Sequence, residues 1–121
     1  KAAYTFQSGV EAGRQLMKLK EPPTAIFCGN DEMAAGVCQA VREAGREIAR
    51  HVSVVGFDDS PLASRLWPAL TTVVLPIRLM GRMASTRLLG DSLIHEPPQE
   101  ETLGEVHPKL VVRGSTAAVR A

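Results

Sequence analysis

Aromatic side chains are scarce in this chain, 4% of 121 residues. Few flat ring surfaces are therefore available for stacking on a planar or ring-shaped partner. An excess charge of one sign is also missing: 14 Lys and Arg stand against 13 Asp and Glu. No bulk field draws in DNA, RNA or an anionic membrane. There are two cysteines, Cys28 and Cys38, ten positions apart and in no CxxC pairing. Such thiols behave as small buried hydrophobes of a reducing compartment, which points to the cytoplasm. No apolar run approaches the roughly 18 residues a membrane span needs, and Lys1 opens no basic-then-apolar signal. The start at Lys1, without an initiator Met, points to a segment of something longer.

Catalytic and metal-binding patterns are equally thin. His51, His95 and His107 are scattered, and none falls in a spaced cluster with a cysteine or carboxylate, so no metal site is expected. Ser8, Ser53 and Ser60 lack a G-x-S-x-G setting. Gly29 and Gly56 make no phosphate-cradling G-x-G-x-x-G. Asp58 and Asp59 are sequence neighbours at a strand end and tend to point apart, whereas paired catalytic carboxylates must converge on one atom. Neither a catalytic residue nor a cofactor is expected.

What the sequence has is a regular alternation of short elements around one core, the number a chain of this length can bury. Thr5 can cap a helix over about 6–20 with Phe6, Val10, Gly13 and Met17 at helical spacing, ended by Pro22-Pro23. Thr24–Phe27 is a short strand. Met33, Val37, Val41 and Ala44 then mark a helix closed by Gly45. Val52–Phe57 is β-branched and nearly all apolar, as suits a parallel strand covered on both faces. Strand, helix and strand make a right-handed βαβ unit.

Asp58-Asp59-Ser60-Pro61 opens a short helical turn to about Leu66, and Thr71–Leu75 is extended. Ile77 to Ile94 is an amphipathic helix whose stripe of Ile77, Met80, Ala84 and Leu88 needs a partner surface. It is expected to dock on a neighbouring molecule, swing away or pack back on the rest of the chain. Glu96–Glu101 is a solvated turn, Leu110–Val112 a last strand, and Ser115 onward a tail.

In an open parallel sheet, ligands bind beyond the carboxyl ends of the strands. Asn30 follows the strand ending at Phe27, and Asp58 the strand ending at Phe57. Neighbouring strands would put both on one rim. An amide that donates and accepts, beside a carboxylate that accepts, suits vicinal hydroxyls or a purine-like edge. The alternative for Asn30 is plain helix capping, since Asn-Asp before an apolar-periodic run is a good N-cap. Asp59 fits the same capping description.

Four motifs occur together in order: Pro22-Pro23-Thr24-Ala25-Ile26-Phe27 leading to Asn30-Asp31-Glu32-Met33-Ala34; Ser53-Val54-Val55-Gly56-Phe57-Asp58-Asp59; Leu70-Thr71-Thr72-Val73; and Leu110-Val111-Val112-Arg113-Gly114-Ser115-Thr116. In this arrangement the chain resembles the lactose-repressor (LacI/GalR) family over nearly its whole length. The resemblance implies an α/β fold: a three-layer parallel sheet flanked by helices, the C-terminal lobe of a periplasmic-binding-protein-like (type I) sensor. Residues 1–121 would form the C-terminal part of the effector domain. Segments 71–76 and 103–110 would cross between lobes, and helix 77–95 would belong to the N-terminal lobe.

The resemblance further implies that Asn30 and Asp58 contact a small-molecule effector, that Asp59 is a structural cap, and that Leu75 stands where the family commonly has a Gln touching a polar effector. A second departure precedes the second strand, where Ile48-Ala49-Arg50-His51 replaces a Val-Pro-acidic-Asp stretch. The stacking ring and the forked Arg of the family's cleft would lie before Lys1. Ala35 and Arg65-Leu66-Trp67 would line a homodimer interface, with ordinary packing as the alternative for Trp67. Operator DNA would be met by a helix-turn-helix domain outside this chain, with no membrane partner. The rival reading is a solute-binding protein of a sugar transport system, which shares the fold.

Overall fold

The computed structural model describes residues 3–89 and 106–118. The elements run α1 (Phe6–Met17), β1 (Ala25–Phe27), α2 (Asp31–Glu43), β2 (Ser53–Phe57), α3 (Pro61–Arg65), β3 (Thr71–Val74), α4 (Ile77–Leu89) and β4 (Lys109–Val111). A first compact unit takes in the described residues of Lys1–Val74 and Lys109–Ala121, and a second those of Leu75–Pro108.

In the first unit the four strands lie in the order β1-β2-β3-β4. The β1–β2 and β2–β3 pairs are parallel, with Phe27 opposite Val55 and Phe57 opposite Val73. β4 is antiparallel to β3, with Val73 opposite Leu110. The α/β sheet flanked by helices is thus the expected one, with its last strand reversed.

The first two helices start at side-chain caps. Thr5 and Ser8 exchange hydrogen bonds as a capping box at the start of α1, and Lys18 caps its end ahead of Pro22-Pro23. Helix α2 begins behind Asn30 and carries Asp31 and Glu32 in its first turn, where acidic groups favour the positive end of the helix dipole. It stops at Glu43, just before Gly45.

The core is an apolar cluster of Cys28, Ala34, Val37, Cys38, Val41, Ile48, Val52, Val54, Ala63 and Leu70. Its helix is α2, packed on β2, and α1 packs in turn on α2. The two helices meet backbone to backbone. A Cβ at Gly36 would come within 2.7 Å of Val10 N, and one at Gly9 within 2.9 Å of the Met33 carbonyl carbon. Only glycine admits so close a crossing. At the edge of this contact Arg14 forks onto Glu43, with Nε to Oε2 at 2.8 Å and Nη2 to Oε1 at 3.1 Å. That bond, with a second from Gln39, pulls the exposed Glu43 carboxyl down to about 2.

Two expectations change here. Strand β2 is not covered on both faces: Val54 and Gly56 are buried while Ser53, Val55 and Phe57 are half-buried. Its apolar run therefore serves one packed face and one partly open one. The segment from Ser115 is not a tail either. Ser115 is fully buried; its Oγ accepts from Thr71 N–H at 2.8 Å and donates to the Val54 carbonyl at 2.6 Å. Its own carbonyl accepts from Val54 N–H at 2.9 Å. Backbone groups of β2 that precede the start of β3 need partners, and Ser115 supplies them.

In the second unit, α4 has no buried residue. Ile77, Met80, Leu88 and Leu89 are all exposed. The continuation of this helix toward residue 95, the turn at 96–101, His95 and the start of the 103–110 segment lie outside the described residues.

Candidate functional site

The carboxyl ends of β1 and β2 sit side by side. Cys28 N–H donates to the Val55 carbonyl at 2.8 Å just past β1, and Asp58 N–H to the Val73 carbonyl at 2.8 Å just past β2. Asn30 and Asp58 therefore leave the same edge of one sheet. At that edge the rings of Phe27 and Phe57 meet edge to face, with centroids 6.5 Å apart and planes at 87°. Phe27 stays 65% exposed. The pair is not among the rim residues that the sequence points to. The signal available was that two of the three phenylalanines end consecutive strands.

Asn30 does what a cap does. Its Oδ1 accepts from Met33 N–H at 2.8 Å, and its Nδ2 donates to the Tyr4 carbonyl at 3.2 Å. One amide hydrogen and one lone pair remain for a ligand. Asp58 is exposed. Its backbone sits at φ 100° and that of Asp59 at φ 49°. Two consecutive non-glycine residues in the left-handed region cost roughly 1–3 kcal/mol each unless neighbours over-determine them.

The neighbours are close at hand. Asp31 is buried at 1% exposure; its Oδ1 accepts from Thr72 Oγ1 at 2.6 Å and its Oδ2 from Ser60 N–H at 2.6 Å. It tucks under β2 at Gly56, where a Cβ would meet its Cα at 3.3 Å and Leu70 Cδ2 at 2.8 Å. Asp59 N–H donates to Thr72 Oγ1 at 3.3 Å. Asp59 Oδ1 accepts from Arg113 Nη2 at 2.7 Å. The expectation that Asp59 caps the following helix is corrected: the N-cap of α3 is Ser60, which makes no side-chain cap bond. The left-handed backbone at Asp59 accompanies its side chain's bond to Arg113. Ser60 Oγ is left buried without a hydrogen-bond partner.

The remaining sequence candidates fall elsewhere. Leu75 is half-buried at the start of the second unit. Ala35 is 4% exposed in the single chain. Alanine at that place in α2 faces inward among Ala34, Gly36 and Val37, which are all buried. Arg65 is exposed, and Leu66 is half-buried against the core. Trp67 is 88% exposed, with its carbonyl accepting from the Arg42 guanidinium and a cis peptide to Pro68. Burial pushes the Cys28 thiol up to about 12, with Cys38 adding to it, and the Cys38 thiol to about 11. Neither is a nucleophile at neutral pH. Among the described residues no group of three His, Cys, Asp or Glu could hold a metal ion, and no helix is long and apolar enough to cross a membrane.

Residues 1–116 match the periplasmic binding protein-like domain family. The chain belongs to that family, on its lactose-repressor (LacI/GalR) branch. An HTH-type transcriptional repressor PurR of Serratia proteamaculans is 41% identical over 111 residues, covering 92% of this chain and 32% of that protein. A LacI family transcriptional regulator from Lactobacillus casei, solved with bound sucrose, is 32% identical, with a TM-score of 0.76 over 93% of this chain and 41% of that one. The lac repressor dimer, solved on its operator with the anti-inducer ONPF, is 29% identical, with a TM-score of 0.78 over 97% of this chain and 40% of that one. The chain thus spans about a third of the length of the curated LacI-type relatives it matches. It is a part of a LacI/GalR effector domain, and the sheet rim with Asn30 and Asp58 is the part of that domain described above.

Proposed function

We propose that the chain senses a small polar effector, a sugar, nucleoside or related metabolite, within a DNA-binding transcription regulator. The observation that carries this reading is Asp58: an exposed carboxylate on the rim beside the start of α2, held in a backbone conformation that neighbouring residues have to maintain. Asp58 accepts from ligand hydroxyl or amine groups, and Asn30 adds its spare amide hydrogen. Leu75, in place of a polar side chain, favours a less polar ligand edge. The effector shifts a two-state lobe equilibrium and so the affinity of a helix-turn-helix domain for operator DNA. That the relatives are a PurR repressor, a LacI family transcriptional regulator solved with sucrose and a lac repressor solved on its operator supports this reading over a transport solute-binding protein.

On the same reading, segments 71–76 and 103–110 cross between lobes and helix 77–95 belongs to the N-terminal lobe. The division of the chain between Val74 and Leu75, and again between Pro108 and Lys109, favours it. The regulator is cytoplasmic, has no enzymatic activity, and forms a homodimer through Arg65, Leu66 and Trp67. The near-complete exposure of Trp67 supports the interface role, because a large ring left in water is an unspent source of burial. Solution mass of Trp67→Ala in the full-length protein tests it; an unchanged dimer counts against the interface.

The effector role is tested by titrating full-length protein with sucrose, glucose, ribose and a nucleoside panel, following thermal stabilisation. For a ligand that binds, Asp58→Asn removes a charged acceptor worth about 1.5–3 kcal/mol, a loss of roughly ten- to a hundredfold in affinity. An unchanged Kd in Asp58→Asn rejects the assignment.

A further inference from the structure

We infer that Arg113 is a positioning residue for Asp58, acting through Asp59; this rests on the effector reading of Asp58 and adds the device that keeps it in place. Arg113 lies just past β4, 54 positions after Asp59 in the chain. It is anchored on three sides. Its backbone N–H donates to Thr71 Oγ1 at 2.9 Å, its Nη1 to the Leu70 carbonyl at 2.9 Å, and its Nη2 to Asp59 Oδ1 at 2.7 Å. The side chains of the ion pair are only 22% and 25% exposed, so water screens it less than an open surface bridge.

The geometry gives this pair a task that a surface salt bridge lacks. Asp58 and Asp59 both occupy positive φ, where L-residues other than glycine, and to a lesser degree asparagine and aspartate, are disfavoured. A two-residue turn of this kind relaxes to ordinary φ unless both ends are held. Asp58 N–H is held by Val73 and Ser60 N–H by Asp31. Between them, Asp59 has one 3.3 Å bond from its N–H to Thr72 and the bond to Arg113. The guanidinium is the one charged tether on the turn's own side chains among the described residues. Its planar fork spans Leu70 O and Asp59 Oδ1 together, which a lysine cannot reproduce. Arg113 also follows directly on β4, the strand that re-enters the first unit after the second. The direction of Asp58 is thereby tied to a stretch of chain remote from it in sequence.

Amide hydrogen exchange in the full-length protein tests this without any ligand. In Arg113→Gln, exchange at Asp59 and Ser60 is expected to rise at least tenfold, with Val37 and Val54 changed less than twofold. Arg113→Lys should fall between that variant and the natural protein. Asp59→Gly, which tolerates positive φ without the ion pair, should loosen the turn less than Asp59→Ala, an order that a purely stabilising salt bridge does not produce. Unchanged exchange at 59–60 in Arg113→Gln, or a uniform rise across α2 and β2, overturns the inference. So does Asp59→Gly behaving as Asp59→Ala. Binding separates the two proposals. If the turn loosens while Asp58→Asn leaves affinity for every binding sugar or nucleoside intact, the positioning holds and the effector role of Asp58 fails. If Asp58→Asn abolishes binding but Arg113→Gln leaves exchange unaltered, the reverse is true.

Discussion

Replacing Asp31 by asparagine should cost about 2 kcal/mol of stability, and the sum can be followed bond by bond. The carboxylate accepts from Thr72 Oγ1 and from Ser60 N–H, each at 2.6 Å, in a site where Asp31 is 1% exposed. Bonds to a charged acceptor contribute about 1.5–3 kcal/mol against 0.5–1.5 for neutral ones, so losing the charge removes roughly 1 kcal/mol from each. Asparagine also has one oxygen where two are needed. Turned to Ser60 N–H, it faces Thr72 with its NH₂ and leaves the threonine hydroxyl hydrogen without an acceptor, about 1 kcal/mol more. The loss of charge at the first turn of α2 adds a few tenths through the helix dipole. Relief from burying a charge gives part of this back. Urea unfolding of Asp31→Asn, Thr72→Val and the double variant measures both the cost and the coupling. A cost below about 0.5 kcal/mol, or strict additivity of the pair, would refute the view that this carboxylate joins α2 to β3 and to the loop after β2.

Gly36→Ala should lower stability by about 1–3 kcal/mol, because the new methyl meets α1 backbone and overpacking outweighs the helix propensity gained; a thermal midpoint at or above that of the natural protein would contradict the backbone-to-backbone crossing. Cys28 and Cys38 should resist iodoacetamide at pH 8 until the protein unfolds. Since their folded values of about 12 and 11 lie above the ordinary 9.0, they cost nothing below pH 9, and stability should fall as pH rises from there toward 11–12. For Glu43 the sign is opposite. Its folded value of about 2 against an ordinary 4.5 means the Arg14 pair contributes above pH 4.5 and is lost as pH falls toward 2, so the melting temperatures of natural protein and Glu43→Gln should converge over that window. With both side chains substantially exposed, the gap at neutral pH should be small.

The elements were legible because their signals are local: Thr5 and Asn30 each ahead of a helical stripe, Pro22-Pro23 and Gly45 at the stops. The rim was legible because strand ends can be counted. What escaped was set by partners far away in the chain. Nothing near Ser115 marks it as buried, since its partners Thr71 and Val54 stand 44 and 61 positions off. Asp59 looked like a cap because a cap is the local use of such a residue, and its bond to Arg113 spans 54 positions.

The position of Ser115 bears on how this domain can be shortened. Val54 sits in the middle of the sheet with both of its main-chain groups satisfied by that one serine. A protein ending at Gly114 would keep every helix and strand named above, yet expose the foot of β2 to water from within. A truncation that removes Ser115 should therefore behave like a core lesion.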